Sequence, residues 1–256
     1  TGNSMGWYTA LACAGALSAE AGFELVNGMG GLMHAHGVGG QLVYPVTDTD
    51  WVPDPRRRQE VLTRVAGIAA TTGCTLGVSI DLGAVLVLAG NEAGITAFES
   101  SAPRIADRFP LRLHNHAAFH TALLAPVAAM AQERFSGLPF REPLLPLIDG
   151  RGAIWYPFCN GADELCEYTL GHQVTESYDF TSAIQVASRE FAPEVFLVTG
   201  PGTTLADSVA QCLVASHWQD LSNRAAFEAL QAKEPIVLAL GDPSAREKVV
   251  GTGGQD

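Results

Sequence analysis

Apolar and polar positions along this chain follow two rhythms. Residues 5–18 (MGWYTALACAGALS) are almost all small or apolar, which predicts a helix packed closely against neighbouring backbone. A second helical run covers residues 19–36 and ends at Gly37, Gly39 and Gly40. The rhythm then changes, and GGQLVYPV reads as a strand. Asp54 followed by Pro55 is an N-cap with proline in the first turn, opening an amphipathic helix through RRRQEVLTRVAGIAATTG that Gly73 closes. CTLGVSID and GAVLVLAG read as strands around a tight turn at Leu82 and Gly83. Asn91 caps a helix expected to reach Arg108, and FPLRL is a further strand. Residues 40–113 therefore read β-α-β-β-α-β, a ferredoxin-like unit inserted into a larger body.

The larger body resumes with HNHAAFHTALLAPVAAMAQERF, a loop leading into a helix. PLLPLID and GAIWYP read as strands, followed by helices near 161–173 and 179–192. EVFLVTG is a strand, Gly200-Pro201-Gly202 a turn, and Thr204 to Ala215 a helix; the polar end, GDPSAREKVVGTGGQD, is expected to fray. The expected fold class is α/β: an α/β-hydrolase-like core of residues 1–39 and 114–256 with an inserted ferredoxin-like subdomain at 40–113. No internal repeat appears.

Composition narrows the function classes. With 47% apolar and 16% charged residues, a 256-residue chain can bury a sizeable core. A net charge of −12 argues against nucleic-acid binding and against anionic membranes. The most apolar window, Leu76 to Gly90, contains Asp81 and is too short to span a bilayer, so no membrane role is expected. Cys13, Cys74, Cys159, Cys166 and Cys212 are widely spaced with no Cys-x-x-Cys, which suggests buried free thiols in a reducing, cytoplasmic setting.

Candidate chemistry begins at Gly2-Asn3-Ser4-Met5-Gly6, the Gly-x-Ser-x-Gly form of a turn that lifts a serine between a strand and a helix. A serine hydroxyl needs a base and oxyanion donors, and the N–H of Met5 would sit at a helix N-terminus. Seven histidines could supply the base. His34 and His36 end a helix, where they complement its dipole. His114, His116 and His120 crowd one loop, but no carboxylate or cysteine joins them there, so no metal is expected. His172 belongs to a helix, and His217 lies ten residues beyond Asp207, about 15 Å along a helix and a poor partner for it.

Four stretches in order, GNSMGWYTALACAGALS, AAFHTALLAP, HQVTESYDFTSAI and VFLVTGPGTTLADSV, resemble the malonyl-CoA:acyl carrier protein transacylase family, which includes the acyltransferase domains of fatty acid and polyketide synthases. The inserted ferredoxin-like unit is similar too, and the resemblance runs from Thr1 to about Leu213. It implies that Ser4 is the nucleophile that becomes an acyl-ester and that His120 is its base, oriented by a backbone carbonyl. It places Gln173 near the active site as a substrate-binding residue, and Ala117 to Phe119 where acyl choice is made, with Phe119 narrowing the pocket. Coenzyme A thioesters would be substrates, acyl carrier protein the partner, and no cofactor is needed.

The chain departs from that family at three places. Malonyl-selective members carry an arginine in the second helix after the serine, and Met29 falls there; no arginine occurs between Ser4 and Arg56. A buried carboxylate without a bidentate cation is costly, so Met29 points toward an uncharged acyl group, with Arg112 or Arg151 as possible substitutes. Asn3 replaces the histidine usual before the serine and is expected to hydrogen-bond locally. Family members also carry, ahead of the serine, a strand and a loop whose glutamine N–H completes the oxyanion hole; the resemblance implies that another polypeptide or a longer chain supplies this segment. The leading expectation is an acyltransferase passing an acyl group, malonyl or, given Met29, a non-carboxylated one, from acyl-CoA through Ser4 to the phosphopantetheine thiol of a carrier protein. The rivals are an editing thioester hydrolase on the same scaffold and an idle partner-binding subunit. Arg56-Arg57-Arg58 reads as a solvated helix start or as a contact for an acidic carrier protein.

Overall fold

The computed structural model describes residues 1–159 and 161–251. The chain begins with α1 (Gly6–Cys13), α2 (Ala19–His36), β1 (Gly40–Pro45), α3 (Pro55–Ala69), β2 (Leu76–Leu82), β3 (Val85–Gly90), α4 (Glu92–Ser101) and β4 (Leu111–Leu113). It continues through α5 (Ala125–Arg134), β5 (Leu147–Ile148), β6 (Ile154–Trp155), α6 (Ala162–Glu167), α7 (Gln173–Thr175), β7 (Tyr178–Asp179) and α8 (Phe180–Phe191). The last elements are β8 (Phe196–Val198), α9 (Thr204–Ala215), α10 (Arg224–Lys233), β9 (Val237–Ala239) and α11 (Pro243–Val250). The class is mixed α/β.

The largest sheet has the order β4-β1-β3-β2-β7. β1 runs antiparallel to both β3 and β4, and β2 antiparallel to β3, which is the 4-1-3-2 arrangement of a β-α-β-β-α-β unit. Alternation along β1 sends Leu42 and Tyr44 to one face, where they bury against Leu86, Leu88, Ile95 and Phe98 in a core shared with α3 and α4. Gln41 and Val43 point the other way, toward the rest of the molecule. β7 extends this sheet by pairing parallel with β2, so the strand comes from the larger body and not from residues 40–113. Asp81 strengthens that seam: its carboxylate accepts from the Arg58 guanidinium and from the Thr181 hydroxyl.

The second core is larger and gathers Trp7, Leu11, Leu25, Met29, Phe135, Tyr178, Phe180 and Leu213. Trp7 packs edge-on against Tyr168 at 5.3 Å, and its indole N–H donates to Thr169 at 3.0 Å. A buried indole with a partner for its N–H adds area without an orphan donor.

Several elements are shorter than the sequence suggests. α1 stops at Cys13 because Gly15 turns left-handed (φ 76°), and Ser18 then caps α2 by accepting from the Ala21 N–H at 3.1 Å. The helix capped by Asn91 ends at Ser101, not Arg108, since Ala102 precedes a proline and is extended. The strand expected over 143–149 shrinks to Leu147–Ile148, because Pro143 and Pro146 offer no N–H to a ladder. The helix expected over 161–173 is interrupted by a π-helical turn at Tyr168–His172. The polar end does not fray as a whole: the Asp242 side chain accepts from Ser244 N–H at 2.8 Å and opens α11, while residues 252–256 lie outside the described residues. The structure adds α10 and β9 to the elements expected from the sequence, and β9 pairs parallel with β8.

The thiols are not uniformly buried. Cys212 is buried and its pKa is pushed up to about 12 by that burial, but Cys13 and Cys159 are exposed and Cys74 and Cys166 half-buried. All five are free. Among the described residues, no helix is long and apolar enough to cross a membrane.

Candidate active site

Residues 2–8 fold back on themselves. The carbonyls of Asn3, Ser4 and Met5 accept from the N–H groups of Gly6, Trp7 and Tyr8 at 2.8, 2.9 and 3.1 Å. To make the turn, Ser4 adopts a left-handed backbone with φ 53°, a conformation that stores strain in a non-glycine residue. Gly2 is required sterically: a Cβ there would meet the Gly6 carbonyl oxygen at 2.1 Å, whereas a Cβ on Gly6 would meet open space. The Tyr178 hydroxyl donates to the Gly2 carbonyl and pins the start of the turn. Among the described residues, the Met5 N–H is left out of this hydrogen-bond ladder, at the positive end of the α1 dipole.

His120 arrives from the loop between β4 and α5, also left-handed at φ 57°. Its Nε2 lies 2.7 Å from Ser4 Oγ, and its Nδ1 lies 2.6 Å from the Gln173 carbonyl oxygen. A carbonyl can only accept, so Nδ1 carries the proton and Nε2 presents its lone pair to the serine hydroxyl. Burial pushes the His120 pKa down to about 4, against the Gln173 carbonyl, which favours the charged ring. The imidazole is therefore neutral at pH 7 and able to take a proton.

Gln173 follows directly on the π-helical turn, an irregularity often found at functional sites. Its side chain is buried and committed: Oε1 accepts from the Tyr8 hydroxyl at 2.9 Å, and Nε2 donates to the Ser4 carbonyl at 3.1 Å. Its polar groups thus hold the protein's own residues.

A cavity of about 480 Å³ opens onto Ser4. Tyr8, Met29, Ala117, His120, Gln173 and Val174 make its buried floor, with Met33 and Phe119 partly exposed on the walls. Met5, His34, Asn115 and His116 are exposed and form the rim. Met29, Gly30, Met33 and His34 line it together because they recur at helical spacing along one face of α2, and Gly37, just past its end, continues that face. Among the described residues, no lysine or arginine lines it. Arg112 pairs with Glu92 and Glu99, and Arg151 with Asp149, so neither takes the place left by Met29.

Other sequence readings fall differently. His34 and His36 do sit in the last turn of α2, but His34 also lines the cavity. The local hydrogen bond expected of Asn3 is not made by its Oδ1, which is buried without a partner among the described residues. His114 and His116 are exposed while His120 is buried, and among the described residues no three His, Cys, Asp or Glu side chains gather as a metal site. Arg56 pairs with Glu60, Arg57 with Asp54 and Arg58 with Asp81. Tyr8, His34 and His116 are the site residues that sequence reasoning missed; only the α2 periodicity carried a signal, and it carried it for His34.

No family model matches the chain. Its sequence is 28% identical over 215 residues to polyketide synthase GfsB of Streptomyces halstedii, covering 83% of this chain and 4% of that protein. It is 27% identical over 223 residues to the non-reducing polyketide synthase mapC of Penicillium brevicompactum, covering 84% of this chain and 8% of that one. The chain thus spans under a tenth of the curated relatives it matches. Among solved structures, an acyl-carrier-protein S-malonyltransferase from Burkholderia pseudomallei superposes with a TM-score of 0.71 at 22% identity, covering 97% of this chain and 71% of that one. A malonyl-transacylase solved in complex with its type II polyketide synthase acyl-carrier protein gives 0.70 at 20% identity, over 98% and 71% of the two chains. The acyltransferase domain from the second module of the salinomycin polyketide synthase gives 0.68 at 20%, over 98% and 53%. The fold is that of these transacylases and acyltransferase domains.

Proposed function

We propose that this chain is a serine acyltransferase of the transacylase type, moving an acyl group from coenzyme A to the phosphopantetheine thiol of an acyl carrier protein. The observation that carries the reading is the 2.7 Å contact between Ser4 Oγ and a neutral His120 whose other nitrogen is held by the Gln173 carbonyl. His120 takes the Ser4 proton as Oγ attacks the thioester carbon, and the Met5 N–H stabilises the oxyanion. The tetrahedral intermediate collapses to acyl-Ser4; the coenzyme A thiolate leaves and takes the proton from His120. The carrier thiol then attacks the ester by the same steps in reverse. The shared fold with a transacylase solved in complex with its carrier protein supports that choice of acceptor.

The cavity supports an uncharged acyl group. Met29 is 1% exposed on its floor and, among the described residues, no lysine or arginine lines the walls, so a malonyl carboxylate would be desolvated without a partner, a cost of several kcal/mol. The test is turnover of acetyl-, butyryl- and malonyl-CoA with holo carrier protein, following acyl-carrier and free acid together. Acyl-carrier as the main product, with acetyl or butyryl ahead of malonyl, is the expected result. Free acid as the main product would mark an editing hydrolase, and no turnover with any donor an idle scaffold.

A further inference from the structure

Two buried polar side chains on the sheet play no part in the Ser4–His120 pair. Ser79 is fully buried and Gln41 is 2% exposed. Ser79 sits where the β2–β3 register shifts between Val78 and Ile80, an irregularity that re-aims a side chain. Its hydroxyl donates to the Phe119 carbonyl at 2.7 Å. A serine hydroxyl has one proton, so Ser79 must meet Gln41 as an acceptor, taking Nε2–H at 2.6 Å. That orients the amide, and Gln41 Oε1 is what faces His116 Nδ1 at 2.7 Å. Nδ1 must therefore carry the proton, which leaves Nε2 of the neutral ring as a bare acceptor. Burial lowers the pKa of His116, which favours that neutral form. Among the described residues Nε2 has no partner, and His116 stands on the cavity rim, packed edge-on against Phe119 at 5.7 Å.

We propose that His116 is a specificity-determining residue whose Nε2 accepts a hydrogen bond from an amide N–H of the pantetheine arm, with Gln41 and Ser79 as positioning residues that hold its tautomer. The inference rests on the acyl-transfer reading of Ser4. An acyl group joined to Ser4 Oγ fills the apolar floor, so the arm of its carrier leaves over the exposed rim. The first amide nitrogen of that arm lies two carbons from the thioester sulfur, within reach of a side chain at the rim. Coenzyme A and a carrier protein share this amide, so one acceptor serves both half-reactions.

The test compares one acyl group on two small donors in the full chain: the N-acetylcysteamine thioester, which keeps the amide N–H, and the ethyl thioester, which lacks it. The wild type is expected to favour the amide-bearing donor in kcat/KM by about two- to tenfold, the worth of one hydrogen bond. His116→Phe and Gln41→Met are each expected to bring that preference close to one, with the change in KM. Long-range proton–nitrogen correlation NMR of the wild type is expected to show His116 protonated on Nδ1, and does not depend on any variant folding. An unchanged preference in His116→Phe, or a ring protonated on Nε2, overturns the proposal. If wild type forms no acyl-Ser4 from any donor, the acyl-transfer reading itself falls and the arm assignment with it.

Discussion

Gln173 grips Ser4 and His120 with different groups: its side-chain amide donates to the Ser4 carbonyl at 3.1 Å, while its own backbone carbonyl accepts from His120 Nδ1 at 2.6 Å. Nucleophile and base are thereby referenced to one residue. Replacing the side chain leaves the carbonyl that holds His120 but frees the strained turn at Ser4 and strands the buried Tyr8 hydroxyl. Gln173→Ala is expected to lose roughly 2–3 kcal/mol of stability in urea titration, within the range for buried donors left unpaired plus a small cavity. Acylation of Ser4 should slow more than tenfold. Tyr8→Phe should cost only about 1–2 kcal/mol, since the Gln173 Nε2 bond to Ser4 survives.

The two glycines of the serine turn should behave oppositely. A methyl group on Gly2 would overlap the Gly6 carbonyl, so Gly2→Ala should collapse the turn and abolish acylation. Gly6 opens α1 and faces empty space, so Gly6→Ala should keep the fold and raise stability by up to about 1 kcal/mol through helix propensity. Thermal melts of the two variants decide the matter.

Acylation should depend on pH through His120. The base form is present above its folded pKa of about 4, so the rate should be level from about pH 6 upward through neutrality and fall with a midpoint near 4. Stability follows the same group. The unfolded ring binds a proton near pH 6.5 and the folded ring does so near 4, so the unfolded state holds more protons between these values. Stability is therefore full above pH 6.5 and should decline by roughly 3 kcal/mol as pH falls to 4, read from denaturant midpoints. His120→Phe, expected to be inactive, should lose this part of the pH dependence of stability.

Met29→Arg would place a cation in the apolar floor. It should destabilise the chain by several kcal/mol, because the described lining offers the guanidinium no carboxylate. In exchange, the ratio of malonyl to acetyl adduct on Ser4, measured by intact mass, should rise at least tenfold.

What could be read in the sequence was what depends on local pattern. α2 follows its apolar run from Ala19 to His36, and the β-α-β-β-α-β unit follows from alternation, Asp54, Asn91 and the Leu82-Gly83 turn. Ser4 stood out through the spacing of Gly2 and Gly6, while His120 was separable from its neighbours only through the resemblance of AAFH. Contacts set by tertiary packing left no such trace. Tyr8 meets Gln173 across 165 positions, and Gln41 and Ser79 meet in a sheet whose strands must first be ordered. β9 has only three residues, and its partner β8 lies across two helices, so no local period announces it.

Whether Ser4 becomes the acyl-ester is decided by peptide mapping after brief exposure to acetyl-CoA. One acetyl group is expected on the peptide holding Ser4, absent in Ser4→Ala and much reduced in His120→Ala. An adduct elsewhere, or one that persists in Ser4→Ala, would remove Ser4 as the nucleophile.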